Sequence, residues 1–325
     1  MPRSVITDVL GPPEAYELRE APARPLKPNQ VRIALKAAGI SFVDVLTAAG
    51  QYQVKPPLPF VPGSEAAGIV IEVGAEVSTL NVGDPVVASG WGGMFAEETV
   101  LPERTVRRMP EGMDFAEAAV FPVSYATAWH ALVDRARLQS GETVLVLGAG
   151  GATGYAAVQV AKHLGARVVG SASSDAKRAL ARAGGAHAVV TSGAEDWREQ
   201  VRAANAGKPV DVVFDSVGGE ATDPAFRCLG WGGRHLVVGF PAGMTALKTN
   251  LALIKGASLV GVDIRQFGEF EPEKAAANRD AIFDLAAQGV LKPAVARRYL
   301  LDDFRAAMAE AAAGKTAGRV VLDIG

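Results

Sequence analysis

The sequence predicts an α/β protein in which a doubly wound parallel sheet is inserted into a β-rich domain. Three observations lead to that prediction. Strand-like and helix-like segments alternate through the middle of the chain, from about residue 143 to residue 264. The first 120 residues are instead rich in short strands and Pro/Gly turns, and no strand–helix alternation follows residue 264. Since this alternation is the pattern of a doubly wound sheet, residues 123–264 should form one domain, with 1–122 and 265–325 forming the other.

The individual elements follow from periodicity and turn signals. The β-rich part contains candidate strands at Gln30–Ala37, Ala67–Val73 and Pro85–Ser89. The inserted part contains candidate strands at Thr143–Leu147, Ala166–Ser171, His187–Thr191, Val210–Val217, Gly232–Phe240 and Ser258–Ile264. Its candidate helices are Gly154–Leu164, Asp175–Ala183 and Glu195–Asn205. The tail predicts helices at Glu271–Gly289 and Asp302–Ala313 and a strand at Arg319–Ile324.

Composition excludes several classes of protein. The chain has 325 residues, enough for two domains, and a net charge of −2, so no basic field would hold it on nucleic acid or an anionic membrane. The sequence contains no run of about 18 apolar residues, so no membrane-spanning segment is predicted. Cys228 is the only cysteine, so no intramolecular disulfide can form; we expect an inert thiol at an apolar helix end in a cytoplasmic protein.

A glycine-rich loop between a predicted strand and helix indicates a dinucleotide phosphate site. The segment Gly148–Gly154 contains Gly148, Gly151 and Gly154, with Ala152 and Thr153 at the predicted helix start. Such a loop turns tightly, lets its backbone approach a pyrophosphate and places the anion at a helix N-terminus. The alternative is a glycine turn that binds nothing. We predict a Rossmann domain that binds a nicotinamide dinucleotide.

The end of the second inserted strand predicts NADPH rather than NADH. NAD sites place Asp or Glu there, for the ribose 2′-hydroxyl. This chain has Ser171, Ser173 and Ser174 instead, with Lys177 and Arg178 one turn later. Hydroxyls and cations suit a 2′-phosphate, although the two cations also fit a solvated helix face. The neighbouring Asp175 fits a helix N-cap.

Five segments, in this order along the chain, resemble the medium-chain dehydrogenase/reductase superfamily. They are Pro57–Gly68, Val82–Asp84, Gly141–Val146, Phe214–Gly219 and Gly314–Gly318. Within it, the chain resembles the zinc-free quinone oxidoreductase branch that includes ζ-crystallin. The resemblance implies a Rossmann domain inserted in a GroES-like catalytic domain. It also implies NADPH-dependent hydride transfer to a conjugated acceptor.

Zinc is not expected. A catalytic zinc ion needs three ligands from Cys, His, Asp or Glu. The four histidines, at 130, 163, 187 and 235, are isolated in sequence, and Ser64 stands where zinc alcohol dehydrogenases have histidine. Without a metal to polarise a carbonyl, simple alcohols are poor substrates. Quinones and α,β-unsaturated carbonyls accept hydride more easily, because the charge delocalises into a conjugated oxygen.

The resemblance also implies site residues. Ser41 stands where the family often has Asn near the nicotinamide, and Tyr52 aligns with a tyrosine that acts as a proton donor or oxyanion partner in related enoyl-thioester reductases. A packing role fits Tyr52 equally well. Further cofactor contacts are implied at Thr127, Val217, Gly239, Phe240 and Arg319. Five aromatic residues are candidates to line the acceptor pocket, although packing in the core would explain an aromatic residue at each position equally well: Phe42, Tyr52, Trp91, Phe240 and Phe267.

The leading hypothesis is an NADPH:quinone reductase with a small-molecule acceptor. The alternative is an NADPH-dependent reductase of enoyl thioesters or enones. A third possibility is a cofactor-binding structural or RNA-binding protein. The acidic net charge and the absence of a Lys/Arg cluster argue against RNA binding. By resemblance, the strand Ser258–Ile264 pairs across a two-fold axis, which predicts a homodimer.

Overall fold

The computed structural model describes residues 1–22 and 24–325. The chain divides into two compact units, one formed by Met1–Val123 with Lys292–Gly325 and the other by Ser124–Leu291. Within the described residues, no helix combines the length and the apolar character needed to cross a membrane.

The strands and helices are numbered in chain order. The strands are β1 (Arg3–Ile6), β2 (Glu17–Glu20), β3 (Gln30–Ile40), β4 (Glu65–Val73), β5 (Pro85–Ser89), β6 (Glu98–Pro102), β7 (Val106–Arg108), β8 (Thr143–Leu147), β9 (Arg167–Ala172), β10 (Ala188–Thr191), β11 (Val210–Asp215), β12 (Leu229–Val237), β13 (Ser258–Gly261), β14 (Val295–Leu300) and β15 (Arg319–Asp323). The helices are α1 (Phe42–Ala48), α2 (Phe115–Ala118), α3 (Pro122–Trp129), α4 (Ala152–His163), α5 (Asp175–Ala183), α6 (Trp197–Ala204), α7 (Thr222–Cys228), α8 (Asn250–Lys255), α9 (Ile264–Phe270), α10 (Pro272–Ala287) and α11 (Phe304–Ala313).

The first unit is built on a mostly antiparallel sheet with strand order β14-β15-β3-β4-β5-β7, and β6 also pairs with β3. β3 has 11 residues and pairs with β4, β6 and β15. Alternate residues of this strand, such as Ile33 and Leu35, are buried in the core. β14 and β15 are parallel. Helix α11 covers this core with Phe304 and Met308.

The second unit is a six-stranded parallel sheet with strand order β10-β9-β8-β11-β12-β13. All five residues of β8 are buried, which explains why this strand is continuously apolar rather than alternating. From β8, successive strands β9 and β10 are added on one side, and β11, β12 and β13 are added on the other, so the strand order reverses between β8 and β11. Dinucleotides bind at the carboxyl ends of the strands at such a switch point.

The structure also differs from the predicted elements after residue 261. β13 ends at Gly261, because Asp263 caps a helix, α9, that the sequence analysis did not predict. Helices α9 and α10 belong to the second unit, which runs to Leu291, whereas the predicted boundary was residue 264. Their contacts explain this difference: Lys274 and Asn278 of α10 both bind Asp134 of that unit.

Candidate functional site

The loop Gly148–Gly151 joins β8 to α4 at the carboxyl edge of the parallel sheet. Gly148 has a φ of +68°, which glycine adopts without steric cost. A Cβ on Gly154 would lie 2.1 Å from the carbonyl oxygen of Gly148, so helix α4 packs directly on the loop backbone. A Cβ on Gly150 would lie 2.5 Å from the Cβ of Lys177, so the loop also lies against α5. Glycine is therefore required at these positions by close backbone approach.

The N-terminus of α4 is suited to an anion. Its N-cap residue is Gly151, which provides no side-chain cap, and no acidic residue lies in the first turn. The first turn contains Ala152, Thr153 and Gly154, whose N–H groups have no partner one turn earlier in the helix. The helix dipole adds to the attraction for negative charge. A pyrophosphate fits the chemistry of this loop.

The end of β9 holds no carboxylate that could bind a ribose 2′-hydroxyl. The strand ends at Ala172, and the next residues are Ser173, which is exposed, and Ser174. Ser171 is buried, and its Oγ accepts from Trp197 Nε1 at 2.9 Å and lies 2.8 Å from Ser192 Oγ. Contrary to the prediction, the Ser171 hydroxyl is therefore committed inside the fold and not available to a phosphate.

The start of α5 places two cations beside the phosphate loop. Ser174, not Asp175 as predicted, is the N-cap, because its hydroxyl accepts from Lys177 N–H. Asp175 instead forms an ion pair with Arg178, which also donates to the carbonyl of Ala172 at 3.3 Å. Burial lowers the pKa of the Lys177 ammonium.

Asp215 organises the next loop at the same edge of the sheet. Its Oδ1 accepts from the N–H groups of Val217 (3.0 Å) and Gly218 (2.8 Å), and its Oδ2 accepts from the Thr222 hydroxyl (2.7 Å) and contacts His235 Nε2 (3.1 Å). Burial opposes ionisation, but these hydrogen bonds outweigh it and hold the pKa of Asp215 below its usual value. Asp215 was not among the site residues predicted from the sequence, where the available signal was an acid at the end of a strand followed by Ser-Val-Gly-Gly.

The other residues predicted to contact the cofactor lie in several elements. Val217 packs at the phosphate loop, since a Cβ on Gly148 would lie 3.0 Å from its Cγ2. Gly239 and Phe240 follow β12 at the same edge, and Phe240 is exposed. Thr127 lies in α3 and is mostly buried.

In the first unit, Tyr52 and Trp91 are brought together. Their ring centroids are 6.3 Å apart with planes tilted by 38°. Trp91 is 55% exposed and Tyr52 is partly exposed, so both present aromatic surface. Phe42, the first residue of α1, is 39% exposed.

Ser41 is the N-cap of α1. Its Oγ accepts from Asp44 N–H at 3.0 Å, while its hydroxyl and backbone N–H both donate to Asp44 Oδ2, at 2.6 and 2.7 Å. Ser41 is partly exposed and Asp44 is buried. The predicted site residue is thus hydrogen-bonded to a buried carboxyl group that the sequence analysis did not identify.

A second buried carboxyl group lies in the same unit. Glu65 accepts from the N–H of Val123 at 2.7 Å and from Arg319 Nη2 at 3.1 Å. Arg319 was predicted to contact the cofactor, but its guanidinium is buried against Glu65. Burial raises the pKa values of both Asp44 and Glu65, and the Arg319 charge only partly offsets this. Two buried carboxyl groups therefore share one guanidinium.

Phe267 is not a pocket-lining residue. It is 5% exposed, and its ring stacks on His130 at a centroid distance of 3.8 Å. His130 in turn binds Asp134 at 2.8 Å. The prediction that Phe267 lines an acceptor pocket is therefore wrong, because the side chain is buried in the second unit and its ring is stacked on His130.

Two family models match the chain. The "Alcohol dehydrogenase GroES-like domain" matches residues 27–111, and the "Zinc-binding dehydrogenase" matches residues 152–278. The donor set does not fit a zinc ion: residues 1–123 contain neither His nor Cys. Among the described residues, no three His, Cys, Asp or Glu side chains are grouped to hold a metal.

Curated relatives match over nearly the full length. Quinone oxidoreductase-like protein 2 of Rattus norvegicus is 36% identical over 94% of this chain and 88% of its own length. Quinone oxidoreductase of Homo sapiens is 31% identical over 92% of this chain and 91% of its own length.

Solved structures have the same fold. A probable oxidoreductase from Mycobacterium abscessus has a TM-score of 0.90 at 34% identity, covering 99% of both chains. Mycobacterial Rv1454c complexed with NADPH has a TM-score of 0.89 at 28% identity, covering 99% of this chain and 100% of its own. The CurK enoyl reductase has a TM-score of 0.88 at 26% identity, covering 99% of both chains. The parallel sheet with its glycine loop, the GroES-like match and these relatives agree: the chain is an oxidoreductase of the medium-chain dehydrogenase/reductase superfamily and belongs to its zinc-free quinone oxidoreductase branch.

Proposed function

We propose that this protein is an NADPH-dependent quinone oxidoreductase that works without zinc. The observation that supports NADPH most directly is the end of β9, where Ala172 is followed directly by Ser173 and Ser174 rather than by an acid, and where Lys177 lies against the phosphate loop. NADPH supplies the hydride when it is bound. The chain's own contribution is to hold its pyrophosphate at Gly151–Gly154 and its 2′-phosphate at Ser173, Lys177 and Arg178.

A quinone acceptor is supported by the exposed aromatic surface of the first unit. Tyr52 and Trp91 offer ring faces on which a flat, conjugated acceptor can stack. A quinone needs no metal, because its negative charge is delocalised after hydride addition. The curated relatives with the name quinone oxidoreductase support the same acceptor class.

A second candidate function is the reduction of enoyl thioesters or enones. The hydroxyl of Tyr52 favours it, since a partly exposed phenol can donate a hydrogen bond to the oxyanion that develops on such an acceptor. The structural likeness to the CurK enoyl reductase supports it as well.

We also propose that the protein is a homodimer. β13 is the edge strand of the parallel sheet, and edge strands offer unpaired N–H and C=O groups. Large apolar side chains are exposed on and before this strand: Leu253 (81%), Ile254 (67%) and Leu259 (54%). A second copy that paired with β13 would cover them.

The test of the enzymatic proposal is NADPH oxidation by the purified protein with three acceptors: a benzoquinone, an α,β-unsaturated ketone and an enoyl-CoA. We expect the highest kcat/KM with the quinone. A preference for the enoyl-CoA would support the second candidate. Tight NADPH binding without turnover of any acceptor would contradict both.

A further inference from the structure

The partly exposed hydroxyl of Ser41 lies between solvent and a buried acid. Its hydrogen bond to Asp44 Oδ2 is 2.6 Å long, and Asp44 is 4% exposed. Ser64, itself partly exposed, also donates a hydrogen bond to Asp44. Hydroxyl groups can reverse a hydrogen bond, because each is both a donor and an acceptor.

The cluster around Asp44 has one cation for two carboxyl groups. The charged groups that face Asp44 are Glu65 from β4 and Arg319 from β15. If both acids were ionised, this interior would keep one uncompensated negative charge, which burial makes unfavourable. One proton on the pair makes the cluster neutral.

That proton belongs on Asp44 rather than on Glu65. The contacts of Glu65 are a guanidinium and a backbone N–H, which can only donate and therefore require the carboxylate. Two of the donors to Asp44 are the hydroxyls of Ser41 and Ser64. Each hydroxyl can rotate and accept a hydrogen bond from the protonated Asp44 carboxyl group instead. The raised pKa of Asp44 agrees with this distribution.

We propose that Ser41 and Asp44 form a proton relay that completes the reduction of an enone or enoyl thioester. This inference rests on the proposed reductase function. Reduction of the acceptor at its β-carbon, for which bound NADPH would supply the hydride, would leave an enolate. The Ser41 O–H bond then breaks as its proton passes to the enolate, and the Asp44 O–H proton passes to Ser41 Oγ. Asp44 is left as a carboxylate and takes a new proton from water. Ser41 is the catalytic residue of this step, and Asp44 acts through it.

Two substitutions separate the relay from capping of helix α1. Asp44→Asn keeps a side-chain oxygen for the Ser41 donors but cannot carry an ionisable proton. Ser41→Asn keeps the N-cap, because Asn caps helices as well as Ser does, but its amide cannot pass a proton on. Asp114→Asn is the matched control, since Asp114 is the N-cap of α2 in an equivalent capping box of the same unit.

With an enone, kcat of the wild type should fall as pH rises through the raised pKa of Asp44, because the relay needs the protonated acid. In Asp44→Asn and Ser41→Asn, we expect kcat to fall by about 10²-fold and to lose this pH dependence, with KM for NADPH unchanged. In the control Asp114→Asn, turnover of both the enone and a quinone should stay within about threefold of the wild type. Ser41→Asn with normal enone turnover and a normal pH profile would overturn the relay.

An infrared measurement tests the proton itself without turnover. At neutral pH, the wild type should show the C=O stretch of a protonated carboxyl group, which disappears in Asp44→Asn and persists in Asp114→Asn. A signal that persists in Asp44→Asn, or none in the wild type, would overturn the proposal. A wild type that reduces no acceptor but shows this signal would contradict the proposed function and not the placement of the proton.

Discussion

The guanidinium of Arg178 is bound to the carboxylate of Asp175, three residues earlier in α5. The ion pair lies beside the carboxyl edge of the parallel sheet, next to the residues proposed to hold the 2′-phosphate. Asp175 is fully exposed, while Arg178 is mostly covered. An anion that binds here therefore competes with Asp175 for Arg178.

Asp175→Asn should strengthen NADPH binding. Exposed ion pairs are weak, so releasing Arg178 should lower the Kd for NADPH by at most about fivefold and leave that for NADH unchanged. Fluorescence titration of both cofactors measures this. An unchanged or weaker affinity for NADPH would mean that Arg178 does not contact the phosphate.

Lys177→Ala should weaken NADPH binding by roughly ten- to a hundredfold, because a charge-assisted phosphate contact contributes about 1.5–3 kcal/mol. NADH binding should be preserved, and Arg182→Ala, in the exposed last turn of the same helix, is the matched control. In the wild type, the preference for NADPH should decline as pH rises, since burial lowers the pKa of Lys177 and the ammonium loses its proton earlier than usual. A pH-independent preference would argue against this lysine.

Turnover should survive exhaustive dialysis against a metal chelator. The reason is the donor set: the chain has one cysteine and four histidines, all between residues 130 and 235, and none in the segment with Ser41 and Ser64. The measurement is kcat with a quinone before and after dialysis. Loss of activity that added zinc restores would refute zinc independence.

Leu259→Lys should convert the proposed dimer to a monomer. A lysine on the edge strand β13 places a charge where the second copy would bury an apolar side chain. Light scattering after size-exclusion chromatography gives the mass. Val82→Lys is the control, because Val82 is 62% exposed in the other unit and should leave the mass unchanged. A monomeric wild type would contradict the dimer directly.

The parallel sheet and its cofactor loop were predictable from sequence because their signals are local. Each buried strand is continuously apolar, and the loop needs glycine at fixed positions for close backbone approach. Strand β14 gave no such signal: it contains Arg297 and Arg298, and most of its residues are exposed. Its place beside β15 is a pairing that no periodicity within the segment reveals.

The site was less predictable because its key contacts join residues distant in sequence. The pairing of Arg319 with Glu65 spans 254 positions. The commitment of Ser171 to Trp197 depends on where α6 packs. A serine or an arginine in a suitable segment therefore predicts the chemistry available there, but not whether that side chain is already bound within the fold.

Tyr52→Phe separates the two candidate acceptor classes. The substitution removes the hydroxyl and preserves the ring that lies 6.3 Å from Trp91, so the aromatic surface is unchanged. A quinone already delocalises the charge it gains, so we expect its turnover to stay within about tenfold of wild type. An enoyl thioester develops an enolate oxygen, and losing one hydrogen-bond donor to it should lower kcat by roughly 10²–10³-fold. Trp91→Phe is the companion variant, since it alters the ring pair and keeps the hydroxyl.

The pH dependence of the Tyr52→Phe variant also distinguishes the role of Tyr52 from that of the Ser41–Asp44 relay. Tyr52→Phe should lower the rate with an enoyl-CoA at every pH without changing the shape of the pH profile, because Tyr52 donates a hydrogen bond and Asp44 holds the titrating proton. Steady-state kinetics of the wild type and both variants across pH, with a quinone and with an enoyl-CoA, give all of these values. If quinone turnover by Tyr52→Phe fell more than a hundredfold while NADPH affinity held, the tyrosine would be catalytic for quinones, and protonation from water would be the wrong mechanism.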